Sequence, residues 1–253
     1  MTALRLGSRG RVVRRVAHVM GMPVSLALRG RHAGDLDGEG AWAEVVATMR
    51  EIDRVLSTYR SDSHISRLQR RELDVPDCPP EVAEVLALGE QARQESGGAF
   101  NVRRNGLLDP SGVVKGWAVV RAARSLRRLV DTDFCLSAGG DMVCHVDSPE
   151  RPSWQVGVED PHDPGHRLVA RIPVRRGAVA TSGLAHRGGH IVDPRTGVVP
   201  TALASVTVVA DDLVVADVDA TAAFVLGAGG PAWLRRRHRT GLVVWADGRA
   251  ELL

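Results

Sequence analysis

Apolar residues recur at helical spacing from Ala41 to Leu56 (Trp42, Val45, Val46, Met49, Ile52, Val55, Leu56), with acids and arginines between them, which predicts an amphipathic helix. The run Ser57 to Ser63 breaks that pattern, and Ser63 is placed to cap a short helix from Ile65 to Arg70. Pro79 and Pro80 precede a second long helix, Glu81 to Glu95, which stops at Ser96-Gly97-Gly98. A third helix is expected from Gly116 to Leu129 and a fourth from about Leu213 to Leu226, the latter capped by Asp211 and Asp212 and stopped by Gly227, Gly229 and Gly230. Pro231 opens a short basic helix to Arg239. Alternating or β-branched runs predict strands at Val19 to Leu28, Phe134 to Leu136, Met142 to Val146, Trp154 to Val158, Leu168 to Val174, Ala178 to Gly183, Ser205 to Ala210 and Leu242 to Ala246. Gly30 to Gly40 and Arg187 to Gly197 read as turn-rich connections. Helices gather early and strands late, so the fold class is α+β and not a regular βαβ array. A basic arm is expected over residues 1–15 and a single domain over 16–253.

Composition narrows the function classes. A chain of 253 residues with 44% apolar and 25% charged side chains can bury a large core as an ordinary globular protein. Net charge of +3 permits an anionic ligand without arguing for a nucleic-acid partner. Cys78, Cys135 and Cys144 lack CxxC spacing, which argues against a disulfide framework and suits a reducing compartment. No signal peptide or lipobox is evident and no membrane span is expected, so a cytoplasmic location is the sequence-level expectation.

The candidate chemistry lies in two stretches. Asp109-Pro110-Ser111-Gly112-Val113-Val114-Lys115-Gly116-Trp117 carries the only lysine of the chain; every other basic Lys/Arg position is arginine. An ammonium is a compact point charge, unlike the planar guanidinium fork, and suits a single phosphate or carbonyl. Read as a Gly-flanked turn entering a helix, the stretch sets Lys115 and the Gly112 backbone at a helix N-terminus, where free N–H groups favour phosphate. Asp217 and Thr221 stand four apart and share a helix face, offering a carboxylate and a hydroxyl to a hard cation, while Asp219 points the other way. Ammonium, helix N-terminus, cation pair and Gly-rich turns together suggest a site for a pyrophosphate-containing nucleotide. No Walker A loop, GxGxxG after a strand, zinc spacing or Gly-x-Ser-x-Gly elbow is present.

The ordered motifs resemble those of the ApbE-type FAD:protein FMN transferases over nearly the whole chain. The resemblance is carried by Met20-Gly21, Leu56-Ser57-Thr58-Tyr59 with Ser63 to Leu68, Gly98-Ala99-Phe100-Asn101, Asp109 to Trp117, Ala138-Gly139-Gly140-Asp141, Thr181-Ser182-Gly183, His190-Ile191-Val192-Asp193-Pro194-Arg195-Thr196-Gly197 and Ala216-Asp217-x-x-x-Thr221. It implies mixed helices and antiparallel-rich sheets around a central FAD cleft. Met20, Gly21, Tyr59, Ala99, Phe100, Asn101, Asp109, Lys115, His190 and Ile191 would line the FAD pocket. The Gly112 carbonyl with the Asp217 and Thr221 side chains would hold Mg²⁺, and Asp217 and His190 are the candidate bases. The implied reaction splits FAD, the substrate, at its pyrophosphate and moves FMN onto a Thr or Ser hydroxyl of a partner flavoprotein, releasing AMP. FAD hydrolysis to FMN and AMP and a non-catalytic FAD-binding carrier are the alternatives. Three departures stand out: Met22 where Thr is usual, Asn101 where Asp is usual, and a short connection from Phe100 to Asp109.

Overall fold

The computed structural model describes residues 11–104, 106–185, 188–189 and 191–253. Twelve strands and six helices are formed by these residues. The strands are β1 (Val13–Val19), β2 (Met22–Gly30), β3 (Arg103–Arg104), β4 (Leu107–Leu108), β5 (Thr132–Ala138), β6 (Asp141–His145), β7 (Trp154–Glu159), β8 (Leu168–Val174), β9 (Arg176–Gly183), β10 (Leu203–Ala210), β11 (Thr240–Trp245) and β12 (Ala250–Leu252). The helices are α1 (Leu36–Leu56), α2 (His64–Gln69), α3 (Pro80–Glu95), α4 (Ser111–Leu126), α5 (Leu213–Leu226) and α6 (Gly230–Arg236).

One eight-stranded sheet, ordered β1-β2-β5-β6-β9-β10-β11-β12 and antiparallel throughout, is the backbone of the molecule. Helices α1, α4 and α5 cover one face, and the β7–β8 hairpin covers part of the other, packing Val156 and Val174 on Cys144 and Val179. The α+β expectation holds.

Several boundaries differ from the expectations. β1 begins at Val13, so the basic arm expected to end at Arg15 already contributes Arg14 and Arg15 to the sheet; residues 1–10 of that arm lie outside the described residues. Helix α1 starts at Leu36, inside the stretch read as turn-rich. Asp35 caps it by accepting from the Gly38 N–H, and Gly38 has no side chain because a Cβ there would stand 2.0 Å from the His32 carbonyl oxygen. The expected turn before Lys115 is helical from Ser111 onward. The small strands β3, β4 and β12 had no periodic signal, being only two or three residues long. Leu213–Arg236 is long and apolar enough to pass for a membrane-crossing helix, contrary to expectation, yet 67% of its most apolar 18-residue stretch is buried and Gly227 (φ 56°) interrupts it. Its apolarity is that of a core helix.

The approach of α4 to α5 positions everything that follows. At Gly116 an added Cβ would lie 3.1 Å from the Leu213 carbonyl oxygen and 3.2 Å from the Val214 Cα, so only glycine lets the two backbones meet here without a shift. Helix propensity alone would favour Gly116→Val, since glycine is the costlier residue in a helix interior. Overpacking at the crossing predicts the opposite sign, a loss of about 1–3 kcal/mol read as a lower urea midpoint; a raised midpoint would show that the helices are not pressed together there.

Candidate functional site

Two chain reversals and the last residues of β9 meet at one end of the sheet. Met20 and Gly21 form the β1–β2 turn with positive φ (56° and 69°), as a two-residue hairpin requires. Gly139 and Gly140 (φ 57° and 98°) turn β5 into β6, and the Gly139 N–H donates to the Pro23 carbonyl at 3.2 Å, joining the two turns. Thr181, near the end of β9, donates its N–H to Asp141 Oδ1 at 3.1 Å. Asp141, 1% exposed, is thereby fixed at the sheet end with its second oxygen directed at α4.

Lys115 extends from the second turn of α4 and meets that oxygen: its Nζ lies 2.5 Å from Asp141 Oδ2 and 3.4 Å from Asp217 Oδ1 of α5. The lysine side chain is 22% exposed, whereas both carboxylates are buried. Burial would push the ammonium toward neutrality, but the Asp217 and Asp141 carboxylates overcome it and raise the Lys115 pKa above its ordinary value. One helical turn beyond Asp217, Thr221 Oγ1 shares a 2.9 Å hydrogen bond with Ser182 Oγ of β9. Asp219 faces the other way, as expected, and is buried against Arg237 (3.3 Å) and Arg239 (2.5 Å).

The remaining expected residues divide into several groups. Phe100 is buried with its ring against Gly112, where a Cβ would stand 3.1 Å from Cε2, so the Phe100 ring and the metal-candidate glycine are neighbours. Ala99 is 1% exposed and can offer a ligand little beyond its backbone. Asn101 Oδ1 accepts from the Arg103 N–H at 2.8 Å, shaping the entry to β3; the short amide does turn chemistry here. Asp109 is exposed and its Oδ1 accepts from the Ser111 N–H, while Val113 and Val114 donate to the Pro110 carbonyl. The Ser111 and Val113 N–H groups at this helix start are thus engaged within the chain, and the Val114 bond is the first regular bond of the helix. Tyr59, implied by the resemblance as a wall of the FAD pocket, is 97% exposed in the α1–α2 connection. Ile191 is half-buried at the core's edge; His190 lies outside the described residues.

Sequence reasoning passed over Asp141 as a charge partner, although a carboxylate directly after a Gly-Gly hairpin turn is held at a strand end. It also passed over the Asp193–Arg195 clamp. Arg195 donates from Nε and a terminal nitrogen to the two Asp193 oxygens at 2.9 and 2.8 Å, and holds the Asp193 carboxyl below its usual range. The Arg195 side chain passes over Gly98, 3.6 Å from where a Cβ would be, so the loop after α3 touches the loop after β9.

The ApbE family model aligns with residues 20–107 and 102–244. The chain belongs to the ApbE family. A Haemophilus influenzae protein named FAD:protein FMN transferase is 24% identical over 73% of this chain and 72% of its own length. A Rhodobacter capsulatus protein of the same name is 36% identical over 47% of this chain, a stretch that spans only 24% of the relative. Among solved structures, the apo form of the Pseudomonas stutzeri flavinyl transferase ApbE superimposes with a TM-score of 0.80 at 22% identity, over 96% of this chain and 95% of that one. The Vibrio cholerae flavin transferase ApbE gives 0.79 at 21% identity, over 96% and 97%. These likenesses establish a shared ApbE fold.

The ion cluster yields a prediction with a definite pH window. Lys115→Met leaves Asp141 and Asp217 buried without their shared cation and should cost about 3 kcal/mol of stability near pH 7. A raised lysine pKa contributes stability that is complete below the unfolded value of 10.5 and is lost as pH rises through the folded value. The gap between wild type and variant in urea unfolding should therefore stay wide up to that point and shrink above it; a gap independent of pH up to strongly alkaline conditions would overturn the assignment.

Proposed function

We propose that this protein is a flavin transferase that moves FMN from FAD onto a Thr or Ser hydroxyl of a partner flavoprotein and releases AMP. The observation that carries the reading is the junction of Lys115 with Asp217 at the α4–α5 crossing, with Thr221 one turn further along α5. Family membership and the relatives named for flavin transfer support the reaction class.

The donor set suits magnesium. Asp217 and Thr221 supply a carboxylate and a hydroxyl, and both are hard oxygen donors. Asp217, Thr221 and the Gly112 carbonyl are the residues we assign to Mg²⁺, which when bound would neutralise charge on the phosphoryl oxygens. Lys115, kept protonated by its two carboxylates, offers a permanent positive charge to the pyrophosphate. Asp141 acts through Lys115, fixing the direction of the ammonium. The Met20–Gly21 turn, the Phe100 ring and the Asp193–Arg195 loop supply walls for the flavin nucleotide. In the transfer, the acceptor hydroxyl oxygen bonds to the FMN phosphorus as the bond to the AMP oxygen breaks, and the hydroxyl proton passes to a base for which Asp217 and His190 are the candidates.

The experiment is a mass measurement. Incubation with FAD, MgCl₂ and a flavoprotein bearing a Thr/Ser flavinylation motif should add one FMN to that acceptor, and Asp217→Ala should abolish the gain while circular dichroism stays native. Chelation should stop the reaction and Mg²⁺ restore it. Free FMN without an adduct would mark a hydrolase, intact bound FAD a carrier, and full activity in Asp217→Ala would remove the metal assignment.

A further inference from the structure

Three cysteines are free among the described residues, and two of them face each other. Cys135 of β5 and Cys144 of β6 are paired in register, with their sulfurs 3.5 Å apart. We propose that Cys135 and Cys144 are a redox-active cross-strand dithiol, which a peroxide oxidises to an intramolecular disulfide. The inference is independent of the transferase reading.

Directly opposed residues in an antiparallel ladder have Cα atoms roughly 4.5–5.5 Å apart, inside the span of about 4.4–6.8 Å that disulfides bridge. The sulfurs are already in van der Waals contact, so closing the bond needs side-chain rotation and no change of strand register. The row across the sheet reads Arg14, Ala27, Cys135, Cys144, Gly177. The small Ala27 separates Arg14 from Cys135, and Gly177 leaves the far side of Cys144 without a side chain. Access is graded: Cys135 is half-buried, whereas Cys144 is buried beneath Val156 and Val174 of the β7–β8 hairpin. The hydrogen bond from Cys144 lowers the Cys135 pKa, with the Arg14 charge assisting against burial, while the same bond and burial raise that of Cys144. The more exposed sulfur is thus the better nucleophile and the buried one the resolving partner.

The step balances. The Cys135 thiolate attacks one peroxide oxygen, the O–O bond breaks, and Cys135 becomes a sulfenic acid as hydroxide leaves and takes up the proton the thiol released. The Cys144 sulfur then attacks the Cys135 sulfur, its proton goes to the departing oxygen, and water is lost. Two thiols give up two electrons to one peroxide, which ends as two waters. The resulting bridge closes the hairpin that carries Asp141, three register positions from the turn. Cys78 lies elsewhere, with its Sγ against the Asp74 carbonyl, and serves as an internal control.

The test uses the folded full chain and hydrogen peroxide, followed by denaturation and thiol counting. The titre should fall from the three cysteines of the chain to one, and dithiothreitol should restore it. No trypsin site separates Cys135 from Cys144, so their common peptide should be lighter by about 2 Da, two hydrogens. In Cys144→Ser the chemistry should halt at Cys135, giving a dimedone-trapped sulfenic acid and no bridge. Three free thiols after peroxide in the wild type, a bridge that involves Cys78, or an unreactive Cys135 in Cys144→Ser would each overturn the proposal.

Discussion

The site depends on one ammonium held between two buried carboxylates on different elements. Lys115 belongs to α4, Asp141 to the β5–β6 turn and Asp217 to α5, so the two ion pairs join three parts of the fold at a point. Such a cluster is costly to assemble, because each charge loses water, and it persists only where geometry makes the attraction exceed that cost. Gly116 supplies the geometry by letting α4 press its backbone on the start of α5. The Gly139–Gly140 turn supplies it from the sheet side, by bringing Asp141 around to face the helices. A lysine suits this position better than the arginine used everywhere else, since a guanidinium fork would separate the carboxylates it bridges.

Electrostatics and packing are coupled here in a way that neither alone would reveal. Lys115 is a fixed cation set against the buried carboxylates of Asp141 and Asp217. The Thr221–Ser182 hydrogen bond ties the last donor of α5 to β9, so the oxygen donors rest on packed helix and sheet and not on loops. That rigidity is what a site needs if charge is to be stabilised without reorganisation. The loops around Gly98 and Arg195 touch one another, the Arg195 side chain lying over Gly98.

Much of this was legible in the sequence. The i, i+4 spacing of Asp217 and Thr221 defined a helix face, and the lone Lys115 marked a position where charge shape matters. The helical period of Ala41 to Leu56 and the β-branched run Ser205 to Ala210 were read correctly because both are long and strongly patterned. Local chemistry that competes with periodicity was harder to see. Asp35 caps a helix whose first turn contains Gly38, a residue that reads as part of a loop until its close approach to the His32 carbonyl is known. Ser111 to Lys115 looked like a turn for the same reason: glycines serve helix packing here, not chain reversal. Asp141 was invisible as a partner because its role rests on a contact across 26 residues of chain that no local pattern encodes.

The Gly-Gly-Asp turn also explains why the far face of the sheet matters to the site. β5 and β6 present Asp141 to the helices at their tip, and their opposite face carries the Cys135–Cys144 pair beneath the β7–β8 hairpin. Side chains alternate across a strand, so the same hairpin must satisfy a buried carboxylate on one side and two sulfurs on the other. Any shift of register by one residue would exchange these faces, bringing Met142 where Asp141 stands and separating the sulfurs. The position of the ammonium's partner is therefore secured by the whole ladder from β1 to β9, in which each strand holds the next in register, and the charge cluster inherits its precision from the sheet.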